Sequence, residues 1–192
     1  MSSAPLLNIS GLFSPDAAVR TVSAAAIYHH GLALAGPAVS SWLSSREFSS
    51  LLCDQPLTTV GLAVFPDTFA RIEQANGNPR LASVPDDFDA KEFELHFAPE
   101  ISLDILTTRD PEGEGAIARY LKRFGEGIQQ VEFRCLDVNR AAAILRENFG
   151  VTPIYPEARP GADGTRVNFF LAPTSAGGKV LIELYEIPAN QS

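Results

Sequence analysis

Positive charge is scarce in this sequence. Among 192 residues, 15 Lys and Arg stand against 23 Asp and Glu, which gives a formal net charge of −8 at pH 7. Nucleic acids and anionic membrane surfaces both attract clusters of Lys and Arg, so we expect neither as a partner. Small organic molecules remain open as ligands.

Cysteines and long apolar runs are also few. The two cysteines, Cys53 and Cys135, have neither the CxxC spacing of a zinc or redox site nor the number of a disulfide scaffold, so we expect both to be reduced and buried. No apolar run approaches the ~18 residues of a membrane span. The first residues, Met-Ser-Ser-Ala-Pro, lack the basic and apolar regions of a signal peptide. We therefore expect a cytoplasmic protein.

Residues 1–55 are rich in Ala, Ser and Leu and have a helical period. Ser14-Pro15-Asp16 supplies a capping hydroxyl, a proline and an acid at a helix start, which predicts a helix over about 15–29. Gly36-Pro37 predicts a break, and a second helix follows over about 39–52. We expect this helical N-terminal extension to cover a sheet edge or to form a dimer contact rather than to carry chemistry.

From residue 57 onward, a pattern of strands and helices occurs twice. The first half predicts strand 57–64, helix 66–75, and strands 79–84, 92–98 and 100–107; the second predicts strand 128–135, helix 138–149, and strands 151–155, 165–172 and 179–186. The halves overlay at offsets of 71, 74 and 79 residues, with the drift taken up in loops. This predicts an α+β fold of two βαβββ modules, 56–112 and 128–188, joined by a helical connector, 113–127, in one pseudo-symmetric curved mixed sheet.

Carboxylates interrupt apolar strands at matching points of the two halves. Asp104 and Glu183 overlay at the offset of 79. A carboxylate in a mostly buried strand is costly unless it is paired, hydrogen-bonded or bound to a metal. We expect both to face a shared cavity; the alternative is that both lie on the solvent side of half-exposed strands.

Other polar residues are predicted on the same concave face. The period of two in a strand puts Glu94 and His96 on one side of their strand. The offset of 74 puts Asn168 and Phe170 on the matching side of the second copy.

The doubled βαβββ arrangement, with GEGIQQ at 125–130 opening its second half, resembles the vicinal oxygen chelate superfamily, which includes glyoxalase I, bleomycin-resistance proteins and extradiol dioxygenases. Within that superfamily it is similar to the methylmalonyl-CoA epimerases, through AIARYL at 116–121, PGADGTRVNF at 160–169 and APTSAGGKVLIEL at 172–184. The similarity is good over 108–188, fair over 57–107 and absent from 1–55.

This resemblance implies which residues stand at the functional positions of the family. The epimerases hold a divalent metal with a residue at the start of each half and a residue on the last strand of each half. Glu183 matches the glutamate ligand, and Asp104 stands where the family has glutamine or glutamate. Thr59 and Gln130 stand where the family has histidines, so both metal-binding histidines are replaced. Glu94 matches the glutamate that abstracts the proton next to the thioester carbonyl.

The replacement of both histidines changes the metal chemistry that the resemblance implies. Asp104, Gln130 and Glu183 offer only oxygen, which suits weakly held Mg, Mn or Ca, whereas imidazole suits Co, Ni, Zn and Fe. We expect no cofactor or a weakly bound divalent metal ion. A ferrous dioxygenase is disfavoured, because its facial triad needs two histidines and a carboxylate.

Two functions fit these features best; a third is a catalytically inactive scaffold whose helical N-terminus contacts another protein. In the first, an isomerase, epimerase or lyase acts on a small carbonyl compound through an enolate, with Glu94 as a desolvated general base and His96 as its partner acid. Gln130 or Asn168 would donate hydrogen bonds to the enolate oxygen. The predicted substrate-binding residues are Thr59, Gln130, Asn168 and Phe170. The alternative is a non-catalytic protein of the same fold that sequesters a small molecule in its pocket. We expect a homodimer in either case, as is common in the family.

Overall fold

A computed structural model describes residues 7–52, 58–175 and 177–188. The strands are β1 (Thr58–Ala63), β2 (Ala90–Ala98), β3 (Ile101–Thr108), β4 (Gly127–Arg134), β5 (Arg159–Pro160), β6 (Arg166–Pro173) and β7 (Lys179–Glu186). The helices are α1 (Ala17–Leu43), α2 (Arg46–Ser49), α3 (Pro66–Ala75), α4 (Ala116–Phe124) and α5 (Val138–Phe149). The strands form one mixed sheet in the order β2-β3-β1-β4-β7-β6-β5. The predicted α+β fold with a helical N-terminus is confirmed.

A pseudo-two-fold axis passes between β1 and β4 at the centre of the sheet. Val60 pairs with Val131, which is its counterpart at the offset of 71, in an antiparallel register. The last strand of each half lies parallel beside that half's first strand, β3 beside β1 and β7 beside β4. Asp104 directly follows Leu103, which pairs with Val60, and Glu183 directly follows Ile182, which pairs with Val131. The two halves that repeat in the sequence are therefore also equivalent by symmetry in the structure.

The overlay of β2 on β6 needs an offset of 75 rather than the predicted 74. Asp104 pairs with Glu94 across β3 and β2, whereas its equivalent Glu183 pairs with Phe169 across β7 and β6. Phe169 is thus the counterpart of Glu94. Because a shift of one residue turns every side chain of a strand to the other face, the two residues that flank Phe169 point away from the face that carries Glu94.

Three helices, α1, α3 and α5, cover one face of the sheet, and the main apolar core lies beneath them. α1 crosses the centre of that face and contacts every strand except the short β5. Gly31 lies directly on Val60, since a Cβ atom at this glycine would be 2.6 Å from a Val60 methyl. The Trp42 ring packs edge-on against the Phe170 ring at 6.1 Å. The N-terminal segment therefore covers a face of the sheet, where a sheet edge or a dimer contact was expected.

α1 is a single helix of 27 residues, so the predicted break at Gly36-Pro37 is wrong. A proline inside a helix removes one backbone hydrogen bond. On either side of it, however, Ala35, Ala38 and Trp42 are buried in the core. Most of a helix's stability in a protein comes from such tertiary packing, which here outweighs the local cost. Of the predicted second helix, the end of α1 and the four-residue α2 are formed.

Two predicted short strands are not formed as expected. Segment 79–84 is extended but is not a strand, although the Ala82 N–H donates to the Glu92 carbonyl. Segment 151–155 makes an isolated bridge from Pro153 to Phe170, and the strand of this region is the two-residue β5 instead. Each segment contains one proline, Pro79 or Pro153, which has no N–H to give to a ladder.

Some predictions concern single residues and membrane spans. Cys135 is buried, as expected. Cys53 and the predicted strand start at Leu57 lie outside the described residues. Among the described helices, none has both the length and the apolar character needed to cross a membrane.

Candidate functional site

The face of the sheet opposite the three helices forms a cavity of about 950 Å³. Alternate residues of six strands point into it, because side chains alternate between the faces of a strand. Its polar floor comprises Thr59 (β1), Glu92, Glu94 and His96 (β2), Ser102 and Asp104 (β3), Gln130 and Glu132 (β4), and Glu183 and Tyr185 (β7). Ala116 and Ile117 of α4 lie at one end, and Phe88, Tyr155 and Phe169 form an aromatic wall.

Six of the eight residues predicted for the site line this cavity: Thr59, Glu94, His96, Asp104, Gln130 and Glu183. The prediction that Asn168 and Phe170 bind substrate is wrong, because both are fully buried on the helix-covered face. Asn168 instead fixes the backbone of Tyr155, accepting from its N–H at 3.2 Å and donating to its carbonyl at 2.9 Å. The one-residue difference in the overlay of β2 on β6 accounts for both errors.

Glu94 is the centre of a polar network that spans three strands. Its Oε1 accepts hydrogen bonds from Thr59 Oγ1 at 3.2 Å and from Ser102 Oγ at 2.5 Å. Its Oε2 lies 3.4 Å from His96 Nε2. The second imidazole nitrogen, Nδ1, lies 3.3 Å from the Ser102 hydroxyl. One carboxylate oxygen is thus held by two hydroxyls, and the other is shared only with the histidine.

Glu94 and His96 lie at the open side of the cavity. Their side chains are 46% and 68% exposed, so the expectation that Glu94 is desolvated is wrong. The carboxyl groups that lose their hydration are instead those that lie deeper in the floor. Glu94 is therefore accessible to a ligand that enters from solvent.

Gln130 joins two of the deeper acids. Its Nε2 donates to Glu183 Oε2 at 2.7 Å and to Glu132 Oε1 at 3.0 Å. Its neighbour Gln129 is the extra residue of a β-bulge, because the register of β4 on β1 skips from Gln130 to Ile128. The bulge lets both glutamines reach the cavity. The Oε1 of Gln129 is buried and has no hydrogen-bond partner in the described part of the chain.

Four acids of the floor have raised pKa values. Loss of hydration is the main cause for each. It raises the pKa of Glu92 to about 8 and that of Glu132 to about 7, and neighbouring carboxylates add to both. The pKa values of Asp104 and Glu183 lie well above the ordinary range for the same two reasons. The hydrogen bond from Gln130 opposes the rise for Glu132 and Glu183. These four acids therefore hold their protons more tightly than exposed carboxyl groups do, and no Lys or Arg lies among the floor residues to favour their ionised form.

Four floor residues were missed from the sequence, although the signal was present; one is Tyr185, two residues after Glu183, and the other three follow the same pattern. Glu92 precedes Glu94 by two residues, Ser102 precedes Asp104 by two, and Glu132 follows Gln130 by two. The same period of two that placed the predicted residues places these three beside them. Only one of the three, Ser102, is a member of the Glu94 network.

No family model and no curated protein matches the chain. Solved structures do match: methylmalonyl-CoA epimerase from Mycobacterium tuberculosis superposes with a TM-score of 0.57 at 29% identity, over 73% of this chain and 95% of that one. A hypothetical protein from Bacillus halodurans C-125 gives 0.56 at 27% identity, over 69% and 94%. The chain has the methylmalonyl-CoA epimerase fold. A methylmalonyl-CoA epimerase in complex with methylmalonyl-CoA and NH4+ gives 0.56 at 25% identity, over 70% and 95%.

The epimerase fold raises the question of whether Asp104, Gln130 and Glu183 fit a divalent metal ion. Gln130 turns its N–H groups toward the acids, and an N–H group is a donor that cannot ligate a cation. Within the described ranges, no group of three or more His, Cys, Asp and Glu side chains stands close enough to hold a metal. The predicted ligands share the cavity in this arrangement without forming a metal centre.

Proposed function

We propose that this protein is an enzyme that removes a proton from the carbon next to the carbonyl group of a small compound, in an epimerase, isomerase or lyase reaction through an enolate. The reaction would need no divalent metal, or only a weakly bound one. The observation that carries the proposal is the network around Glu94, which presents an accessible carboxylate, held by Thr59 and Ser102, to a cavity of about 950 Å³. The fold is shared with proteins described as methylmalonyl-CoA epimerases, which supports this class of reaction.

Glu94 is the proposed base. Two hydroxyl donors fix its Oε1, so its Oε2 is the atom that would accept the proton from carbon. His96 lies 3.4 Å from that oxygen and is mostly exposed, so it can pass the proton to solvent or return it. In this scheme a substrate carbon replaces the imidazole as the nearest neighbour of Oε2.

The enolate oxygen needs stabilisation from a group other than the two predicted donors. Asn168 lies on the opposite face of the sheet, and the Gln130 amide nitrogen already donates to two carboxyl groups. Compensation of the developing negative charge has to come from other groups of the cavity or from the substrate itself.

Solvent exchange tests the proposed base. Small ketones and thioesters incubated in D2O with the wild-type protein are expected to acquire deuterium next to the carbonyl group. Glu94→Gln should slow this exchange by about 10²–10⁴-fold, which is the usual contribution of a general base. The matched control is Glu147→Gln, an exposed acid on α5 outside the cavity. Exchange that is equally fast in Glu94→Gln would refute the role of Glu94.

A sequestering protein is the second candidate function. The aromatic wall favours it, since the Phe169 ring packs edge-on against Phe88 at 6.3 Å and against Tyr155 at 6.1 Å. Such a wall binds a flat or apolar ligand without any need for turnover. Saturable binding of a carbonyl compound with no deuterium exchange in the wild-type protein would favour this second function over the first.

A further inference from the structure

The floor of the cavity is acidic throughout. Five carboxyl side chains line it, Glu92, Glu94, Asp104, Glu132 and Glu183, and they come from four strands. Every charged residue that β2, β3, β4 and β7 direct into the cavity is an acid, apart from His96 at the open side. Two arginines also line the cavity, and both are engaged away from the floor. Arg80 forms an ion pair with Asp163 at 2.5 Å, and Arg119 donates to the Glu114 carbonyl at 2.6 Å.

Asp104 is the clearest sign that a partner belongs in this cavity. Its side chain is only 8% exposed and faces the cavity, yet no described residue gives it a hydrogen bond or an ion pair. Gln130, the nearest amide donor on the floor, uses its Nε2 for Glu132 and Glu183 instead. A buried carboxyl group without a partner costs free energy that a bound donor would recover.

A second group of the floor has the same requirement. The Oε1 of Gln129 is buried without a hydrogen-bond partner in the part of the chain that the structure describes. An amide oxygen can only accept hydrogen bonds, and a carboxyl group that a bound cation keeps ionised can only accept them as well. With a cation in the cavity, the unfilled hydrogen-bonding positions of the floor are acceptors, so the complementary ligand carries a positive charge.

We propose that the substrate of this cavity carries a positively charged amine, which binds against Asp104, Glu132 and Glu183. This inference rests on the proposed function in that the same molecule carries the carbonyl group from which Glu94 removes the proton. A substrate ammonium group would supply the positive charge that this chain does not place on its cavity floor, and it would lower the energy of a nearby enolate. The substrate class is then amine-bearing carbonyl compounds.

Binding of a matched pair of probes tests the charge requirement. Choline carries a fixed positive charge, and 3,3-dimethylbutan-1-ol has the same shape without the charge. Calorimetry with the wild-type protein is expected to show choline binding at least about tenfold more tightly than the alcohol, because only choline carries a charge that pairs with the carboxylates. Equal affinities, or tighter binding of the alcohol, would overturn the proposal.

Two substitutions locate the site. Asp104→Asn and Glu132→Gln keep the shape of each side chain, and each is expected to weaken choline binding by about tenfold while leaving the alcohol unchanged. Glu147→Gln, on the exposed side of α5, is the matched control and should change neither affinity. Circular dichroism confirms that each variant is folded. If both folded variants bind choline as the wild type does, the proposal is wrong. Binding of Mn²⁺ alone, lost in Asp104→Asn, together with no choline binding, would also overturn it.

Deuterium exchange separates this proposal from the function on which it rests. Aminoacetone in its ammonium form is expected to exchange faster than hydroxyacetone, which is similar in size and uncharged. Both rates are taken relative to exchange without protein, because the ammonium group by itself speeds exchange. Acceleration of hydroxyacetone exchange alone, with no binding of choline, would refute the cationic substrate and leave the proposed enzyme standing. Choline binding with no exchange of either ketone would keep the cationic ligand and refute the proposed enzyme.

Discussion

Glu132 gives the sharpest test of the electrostatics of the cavity floor. Loss of hydration, together with the charge on Glu94, raises its pKa from 4.5 to about 7, and the hydrogen bond from Gln130 opposes that rise only in part. Because the folded state holds this proton more tightly than the unfolded chain does, ionisation destabilises the fold. The contribution of Glu132 to stability is expected to fall as the pH rises from about 4.5 to about 7, and to level off above that. At about 1.4 kcal/mol for each pKa unit, the loss is on the order of 3 kcal/mol.

The substitution Glu132→Gln removes this titration and keeps an acceptor oxygen for Gln130. Near pH 5 the variant and the wild type should unfold at similar urea concentrations, because the wild-type carboxyl group is then protonated. Near pH 9 the variant should be more stable by about 2–3 kcal/mol. Glu147→Gln, at an exposed site, should follow the wild type at every pH. A stability difference between Glu132→Gln and wild type that stays constant from pH 5 to pH 9 would refute the reasoning.

Two further predictions concern packing, and urea denaturation at pH 7 checks both. On α1, Gly31→Ala would bring a Cβ atom within 2.6 Å of Val60, so it should lower the free energy of unfolding by about 1–3 kcal/mol. At the exposed Pro37, substitution by alanine should instead raise the free energy of unfolding by about 1–3 kcal/mol, because it restores a helical N–H. Equal signs for these two variants would contradict the packing of α1 on the sheet. On β6, Asn168→Ala should lower the free energy of unfolding by about 2–3 kcal/mol, because it leaves the N–H and the carbonyl of Tyr155 unpaired. An unchanged urea midpoint would contradict the buried role of this asparagine.

Local signals predicted the regular elements of both halves well. The helix over 138–149 begins after Asp137, whose carboxylate caps Arg140 N, and ends at Gly150 with φ of 66°, a conformation that favours glycine. The offset of 71 made Val60 and Val131 equivalent, and the structure pairs these two residues across the pseudo-two-fold axis. Each of these features depends on residues close in the chain or on an internal copy, and both kinds of signal are present in the sequence.

Three features of the site needed the tertiary structure. The one-residue difference between the halves at Phe169 follows from how β6 pairs with β7, and no local pattern distinguishes an offset of 74 from one of 75. The bulge at Gln129 depends on the pairing of β4 with β1. The exposure of Glu94 depends on where the cavity opens, because a strand pattern gives the face of a side chain and not its depth.

The sequence by itself determined the two modules, their pseudo-symmetry and the face of the sheet on which six of the predicted site residues lie. Period and repeat specify these, because side chains alternate along a strand whatever packs beyond it. Only the tertiary structure decided which acids lose their hydration, as Asp104 does, and that α1 continues through Pro37. Burial and packing arise from contacts between residues far apart in the chain, and such contacts outweigh local preference.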